Sequence, residues 1–83
     1  MDLVVVIEGV SDARVEKEIR RKLQQVCKST ERDGEWSVMV SPSETRGQWD
    51  VGVRGPSGHH FTSFTEQVDQ LPALVTEHLR GCL

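Results

Sequence analysis

The residues of this 83-residue chain best suited to chemistry are His59, His60 and His78, the cysteines Cys27 and Cys82, and Ser57 inside Arg54-Gly55-Pro56-Ser57-Gly58. A serine, two histidines and flanking glycines this close together raise three chemistries: a phosphate cradle, a metal site and a nucleophile with its base. A Walker-type phosphate loop needs Gly-x-x-x-x-Gly-Lys-Ser/Thr between a strand and a helix. Here the lysine is missing, the spacing is wrong, and "HHFTSF" after the loop alternates like a strand. Gly-x-x-Gly is also the spacing with which K-homology domains clamp a nucleic-acid backbone, but there it joins two helices. A turn accounts for the segment better. Pro56 supplies the fixed negative φ of the second turn position, and Gly58 suits the left-handed conformation of a bulge. A type I turn with a glycine bulge then closes a hairpin, pairing Val53 with Phe61 and Arg54 with His60. In that register Phe61 faces the core.

Metal chemistry finds no complete ligand set. His59 and His60 are adjacent on a predicted strand and so point to opposite faces. His78 and Cys82 stand at helical i,i+4 spacing, but Gly81 is expected to end the helix between them, and spacing assigns no third ligand. Nucleophilic catalysis is no better supported. Ser57 is at a turn tip without oxyanion donors, and Cys27 falls at the carboxyl end of a helix, where the dipole disfavours a thiolate. The sequence therefore predicts a non-enzyme without catalytic residues, metal or cofactor.

The elements that position these residues follow from periodicity. Leu3 to Ile7 is a β-branched strand broken by Gly9. Ser11 is a plausible N-cap for a helix over residues 12–27, whose apolar stripe is Val15, Ile19, Leu23 and Val26. Two strands follow with a shared Trp-x-Val-x-Val pattern, Trp36-Val38-Val40 and Trp49-Val51-Val53, each offering one face to the core. The histidine segment is the fourth strand, and Thr65 to Val68 is a connector or a turn of 3₁₀ helix. Asp69 then caps a last helix, with Pro72 in its first turn, Gly81 at its end, and Leu71, Leu74, Val75, His78 and Leu79 facing inward. The order β-α-β-β-β-α predicts a two-layer α/β sandwich of the α+β class, with a mostly antiparallel four-stranded sheet and both helices on one face.

Length and charge narrow the function further. Eighty-three residues allow one small domain, here spanning 1–83, and little material for enclosing a substrate. The longest unbroken apolar run, Leu3 to Ile7, is too short to cross a bilayer, and no signal peptide is evident at the amino terminus. A cytoplasmic protein with reduced cysteines is expected. The net charge of −3 argues against a general nucleic-acid binder. Residues 11–28 nevertheless hold six cations against three carboxylates, a net of +3, which leaves −6 for the remainder. Arg14, Lys17, Arg21 and Lys28 fall within about 60° on a helical wheel, opposite the core stripe. They define a basic face through which nucleic acid binding is the alternative function.

The favoured surface is the uncovered side of the sheet. If Leu3, Val5 and Ile7 face the helices, Val4, Val6 and Met39 face away, and the predicted hairpin register adds Phe64. With Arg54 in a polar rim, these residues form an expected protein-binding surface. The partner is another protein or a second copy of the chain, met through the sheet face or by addition to an edge strand.

Overall fold

The computed structural model describes every residue except 57, 66 and 67. Four strands and two α-helices follow one another as β1 (Asp2–Ile7), α1 (Ala13–Ser29), β2 (Glu35–Pro42), β3 (Trp49–Gly55), β4 (Gly58–Phe64) and α2 (Leu71–Cys82), with a 3₁₀ turn at Val68–Gln70 leading into α2. The strands are ordered β1-β2-β3-β4 in one sheet. β1 pairs parallel with β2, and the other two pairings are antiparallel. The sheet is thus mostly antiparallel, with its parallel edge strand connected through α1, as a parallel crossover requires.

Alternation decides which face each strand gives to the helices. Trp36, Val38, Val40, Val51 and Val53 are buried, and they form one core with Ile19, Leu23 and Val26 of α1 and Leu71, Val75 and Leu79 of α2. Leu3, Val5, Ile7 and Trp49 pack at its margin, half-buried. The stripe Ile19-Leu23-Val26 is the inward face that 3.6-residue periodicity demands, and Val15 lies at its outer end. Both helices cover the same side of the sheet, and among the described residues no layer covers the other side.

The helix ends differ from expectation in detail. Asp12, not Ser11, is the N-cap of α1: its Oδ1 accepts from the backbone N–H of Arg14 at 2.9 Å. The carboxylate also meets the positive end of the helix dipole, which a serine hydroxyl would not complement as well. Gln70, the N-cap of α2, makes no side-chain capping hydrogen bond. Asp69 lies inside the 3₁₀ turn, and the chain passes from that turn into the helix at Leu71 with Pro72 in the first turn. Gly81 is helical, because α2 continues to Cys82 before Leu83 N–H closes on the Arg80 carbonyl. Half of the connector expected at Thr65 to Val68, residues 66 and 67, lies outside the described residues, and Val68 is already in the 3₁₀ turn.

The hairpin between β3 and β4 corrects the predicted register. Gly55 pairs with Gly58, Arg54 with His59, Val53 with His60 and Gly52 with Phe61. The expected pairing of Val53 with Phe61 is therefore off by one residue, and a one-residue slip exchanges the faces of a whole strand. Phe61 lies on the uncovered face, 62% exposed, and Phe64 turns to the helix side, half-buried against the core and edge-on to His78 with ring centroids 6.4 Å apart. The assignment of Phe64 to the open face is overturned. The expected type I turn with a glycine bulge involves Ser57 and lies outside the described residues.

Candidate functional site: the open face of the sheet

The pairing registers fix what the open face presents. Val6 pairs with Met39, Met39 with Gly52, and Gly52 with Phe61, so these four residues form one row across all four strands. The neighbouring row is Val4, Ser37, Arg54 and His59, and on the other side Ser41, Asp50 and Ser63 form a third. Among the described residues the exposed large hydrophobic ones are Val4 (61%), Val6 (37%), Met39 (51%) and Phe61 (62%), and all four belong to these rows. An apolar row lies between two rows that hold most of the polar groups. Scattered hydrophobes on a protein surface are ordinary, whereas a contiguous set rimmed by polar groups is the form of a contact surface.

Between Met39 and Phe61 the row dips. Gly52 has no side chain, and its backbone is overlain by the imidazole of His59, whose Nε2 would stand 3.0 Å from an added Cβ. A shallow depression of about 300 Å³ results, lined by residues including Met39, Gly52, His59 and Phe61. A second depression of about 600 Å³ adjoins it near Ser37 and Arg54 and reaches Val4, Asp2 and Glu35. Both are open hollows rather than enclosed cavities. On the third row, Ser63 Oγ donates to Asp50 Oδ1 at 2.7 Å, which fixes the carboxylate in place beside the apolar row.

The residues predicted for this surface are placed as follows. Val4, Val6, Met39 and Arg54 are on the open face together, and Phe64 is not. Gly52 belongs to it as alternation along β3 predicts, and Phe61 and His59 belong to it and were missed. The alternation in "HHFTSF" puts one phenylalanine on each face in either register, so only the length of the turn could have chosen between them. The two glycines, Gly55 and Gly58, are themselves the closing pair. Reading them as strand residues, with only positions 56 and 57 between, would have given the observed register.

The basic face of α1 is partly occupied from within. Arg14, Lys17, Arg21 and Lys28 are exposed on it as expected. Arg21, however, grips Glu18 with two guanidinium donors, through Nε at 3.1 Å and through a second contact from Nη2. That bond holds the Glu18 carboxyl below its usual pKa and raises that of Arg21. Arg20 reaches Glu16 at 3.4 Å and donates to the Val5 carbonyl at 3.1 Å. Part of the helix's positive charge is thus neutralised by its own carboxylates.

The histidines and cysteines are also distributed structurally. His59 lies on the open face and His60 on the helix side, as their adjacency predicts. His78 Nε2–H donates to the His60 carbonyl at 3.3 Å, tying α2 to β4. Cys27 Sγ–H donates to the Met1 carbonyl at 3.1 Å, and burial raises the pKa of the Cys82 thiol. Both cysteines are free. Among the described residues no three His, Cys, Asp or Glu side chains converge as metal ligands would. Ser57, the other nucleophile considered, lies outside the described residues.

No family model and no curated protein matches the chain. Among solved structures it is similar to the N-terminal domain of Protein Y from Thermus thermophilus, with 11% sequence identity, a TM-score of 0.50 and all of both chains covered. At that identity the likeness shows the fold: a four-stranded sheet with two helices. Among the described residues no helix is long and apolar enough to cross a membrane.

Proposed function

We propose that this chain is a non-catalytic binding module whose contact surface is the open face of its sheet and whose partner is a protein. The observation that carries this reading is the row Val6–Met39–Gly52–Phe61, apolar and solvent-facing across all four strands. Binding would bury those side chains, with Ser37, Arg54, His59 and Asp50 providing polar contacts at the rim. Cytoplasmic residence is part of the same reading. Nucleic acid binding through Arg14, Lys17, Arg21 and Lys28 is less well supported, because Arg21 is already held by Glu18 and no aromatic platform accompanies the cations.

The test compares two surface variants under chemical cross-linking in the producing cells. Met39→Asp should abolish the cross-linked adduct while leaving the far-ultraviolet circular dichroism unchanged, since the side chain is half exposed. R14E/R21E should keep the adduct. The reverse pattern would transfer the binding site to α1 and sink the reading.

A further inference from the structure

On β3 the open face carries a pair of opposite charges that is its own complement, while Asp2 and Glu35 stand together at one end of the face on β1 and β2. Asp50 and Arg54 stand on β3, two residues to either side of Gly52, and both project from the open face. Among the described residues neither forms an ion pair within the chain; Asp50 is held by the Ser63 hydroxyl alone. The row Val6–Met39–Gly52–Phe61 passes between the two charges.

We propose that the occupant of this face is a second copy of the chain, packed sheet to sheet about a two-fold axis that runs along the apolar row. The proposal rests on the open face being the contact surface, and it specifies what covers it. A two-fold operation along the row keeps Met39 over Met39 and Phe61 over Phe61 of the other copy. It exchanges the flanking rows, so each Arg54 meets Asp50 of the other copy, and each Ser37 meets Ser41. This is an isologous interface, in which every contact occurs twice. Sheets packed this way keep their strands within about 30° of alignment, which a modest tilt of the axis supplies.

The alternative axis, parallel to the strands, is disfavoured by charge. It would set Arg54 against Ser37 and Asp50 against Ser41, leaving four charges without counter-ions in a region being dried. Four strands at about 4.8 Å and seven residues at about 3.4 Å give a face of roughly 450 Å² per copy. About 900 Å² in total falls at the small end of specific interfaces. The dimer is therefore weak, and its population follows concentration.

Sedimentation equilibrium of the purified chain, from low-micromolar to near-millimolar protein, tests this. The wild-type average mass should climb from the monomer's 9.3 kDa towards twice that value. The single variants R54D and D50R each put like charges face to face at both symmetry-related contacts and should weaken association by about tenfold or more. The double variant D50R/R54D should restore it. Mixing the two single variants should also restore it, because the D50R chain is positive at both positions and the R54D chain negative at both, so each contact in the mixed dimer joins opposite charges. A mixture that fails to associate, or single variants that dimerise as well as wild type, would overturn the proposed pairing. A wild-type chain that stays monomeric throughout, while its cellular adduct still depends on Met39, would overturn the second copy but keep the open face for another protein. An adduct indifferent to Met39→Asp would remove both.

Discussion

The indole of Trp36 lies against the backbone of Gly55, so closely that a Cβ there would stand 2.5 Å from Cζ3 and 2.6 Å from Cε3 of the ring. Trp36 is 4% exposed and belongs to the buried core. Gly55 closes β3 and pairs with Gly58, so the same glycine seats the tryptophan and sets the register that sends Phe61 to the open face.

Gly55→Ala should therefore destabilise the fold by about 1–3 kcal/mol, the usual cost of overpacking a core. Gly81→Ala makes the control. Gly81 is helical with nothing within 4 Å of an added Cβ, and alanine there should stabilise by about 0.4–1 kcal/mol. Urea melts of the two variants should move in opposite directions; a Gly55→Ala melt that coincides with wild type would contradict the placement of Trp36.

Cys82 should react slowly with thiol reagents at neutral pH. Burial disfavours its thiolate, so the labelling rate should rise at higher pH than for an unperturbed cysteine. The sign for stability follows. The folded chain favours the protonated thiol, so this contribution is complete below the ordinary thiol pKa and is lost as pH rises through the elevated value. Site-resolved alkylation across neutral to alkaline pH measures the shift, and a midpoint at or below that of a free thiol would refute it.

Arg20 guards one free edge of the sheet. Its guanidinium caps the outward carbonyl of Val5 on β1 while contacting Glu16. Arg20→Ala should cost under about 1 kcal/mol, because the side chain is 46% exposed, but it leaves an unpaired edge carbonyl. Faster aggregation on mild heating is the expected outcome, read by light scattering against a small change in melting temperature.

Glu18→Gln separates the two candidate surfaces. It releases Arg21 and makes the outer face of α1 more positive. If that face bound nucleic acid, the variant would bind more tightly, with a steeper salt dependence than wild type. The expected result is no tight, salt-dependent RNA or DNA binding by either protein in a filter or polarisation assay. Stability should fall slightly above the usual carboxylate range, where Glu18 is ionised, and the difference should vanish as pH drops through its lowered pKa.

Much of this architecture is legible in the sequence. Trp36-Val38-Val40 and Trp49-Val51-Val53 show one apolar face each, and the stripe Ile19-Leu23-Val26 can be buried in only one orientation. These patterns suffice for two helices on one side of a mostly antiparallel sheet. The candidate site was only partly legible. Val4, Val6 and Met39 follow from strict alternation in strands whose other face is plainly core. The contribution of β4 does not, since both of its faces hold a phenylalanine and its outer edge is free. Register there depends on one residue of turn length, which propensity does not encode well. The N-cap of α1 failed for a similar reason: Ser11 and Asp12 are both good N-caps, and propensity does not select between them.

The reading of the open face as the contact surface is tested most directly by position-specific photo-cross-linking. A benzophenone side chain would replace Phe61 in one variant and Lys17, on the outer face of α1, in another. Adducts are expected from position 61, suppressed when Met39→Asp is added, and none from position 17. Adducts from position 17 with none from position 61 would contradict the open face as the contact surface.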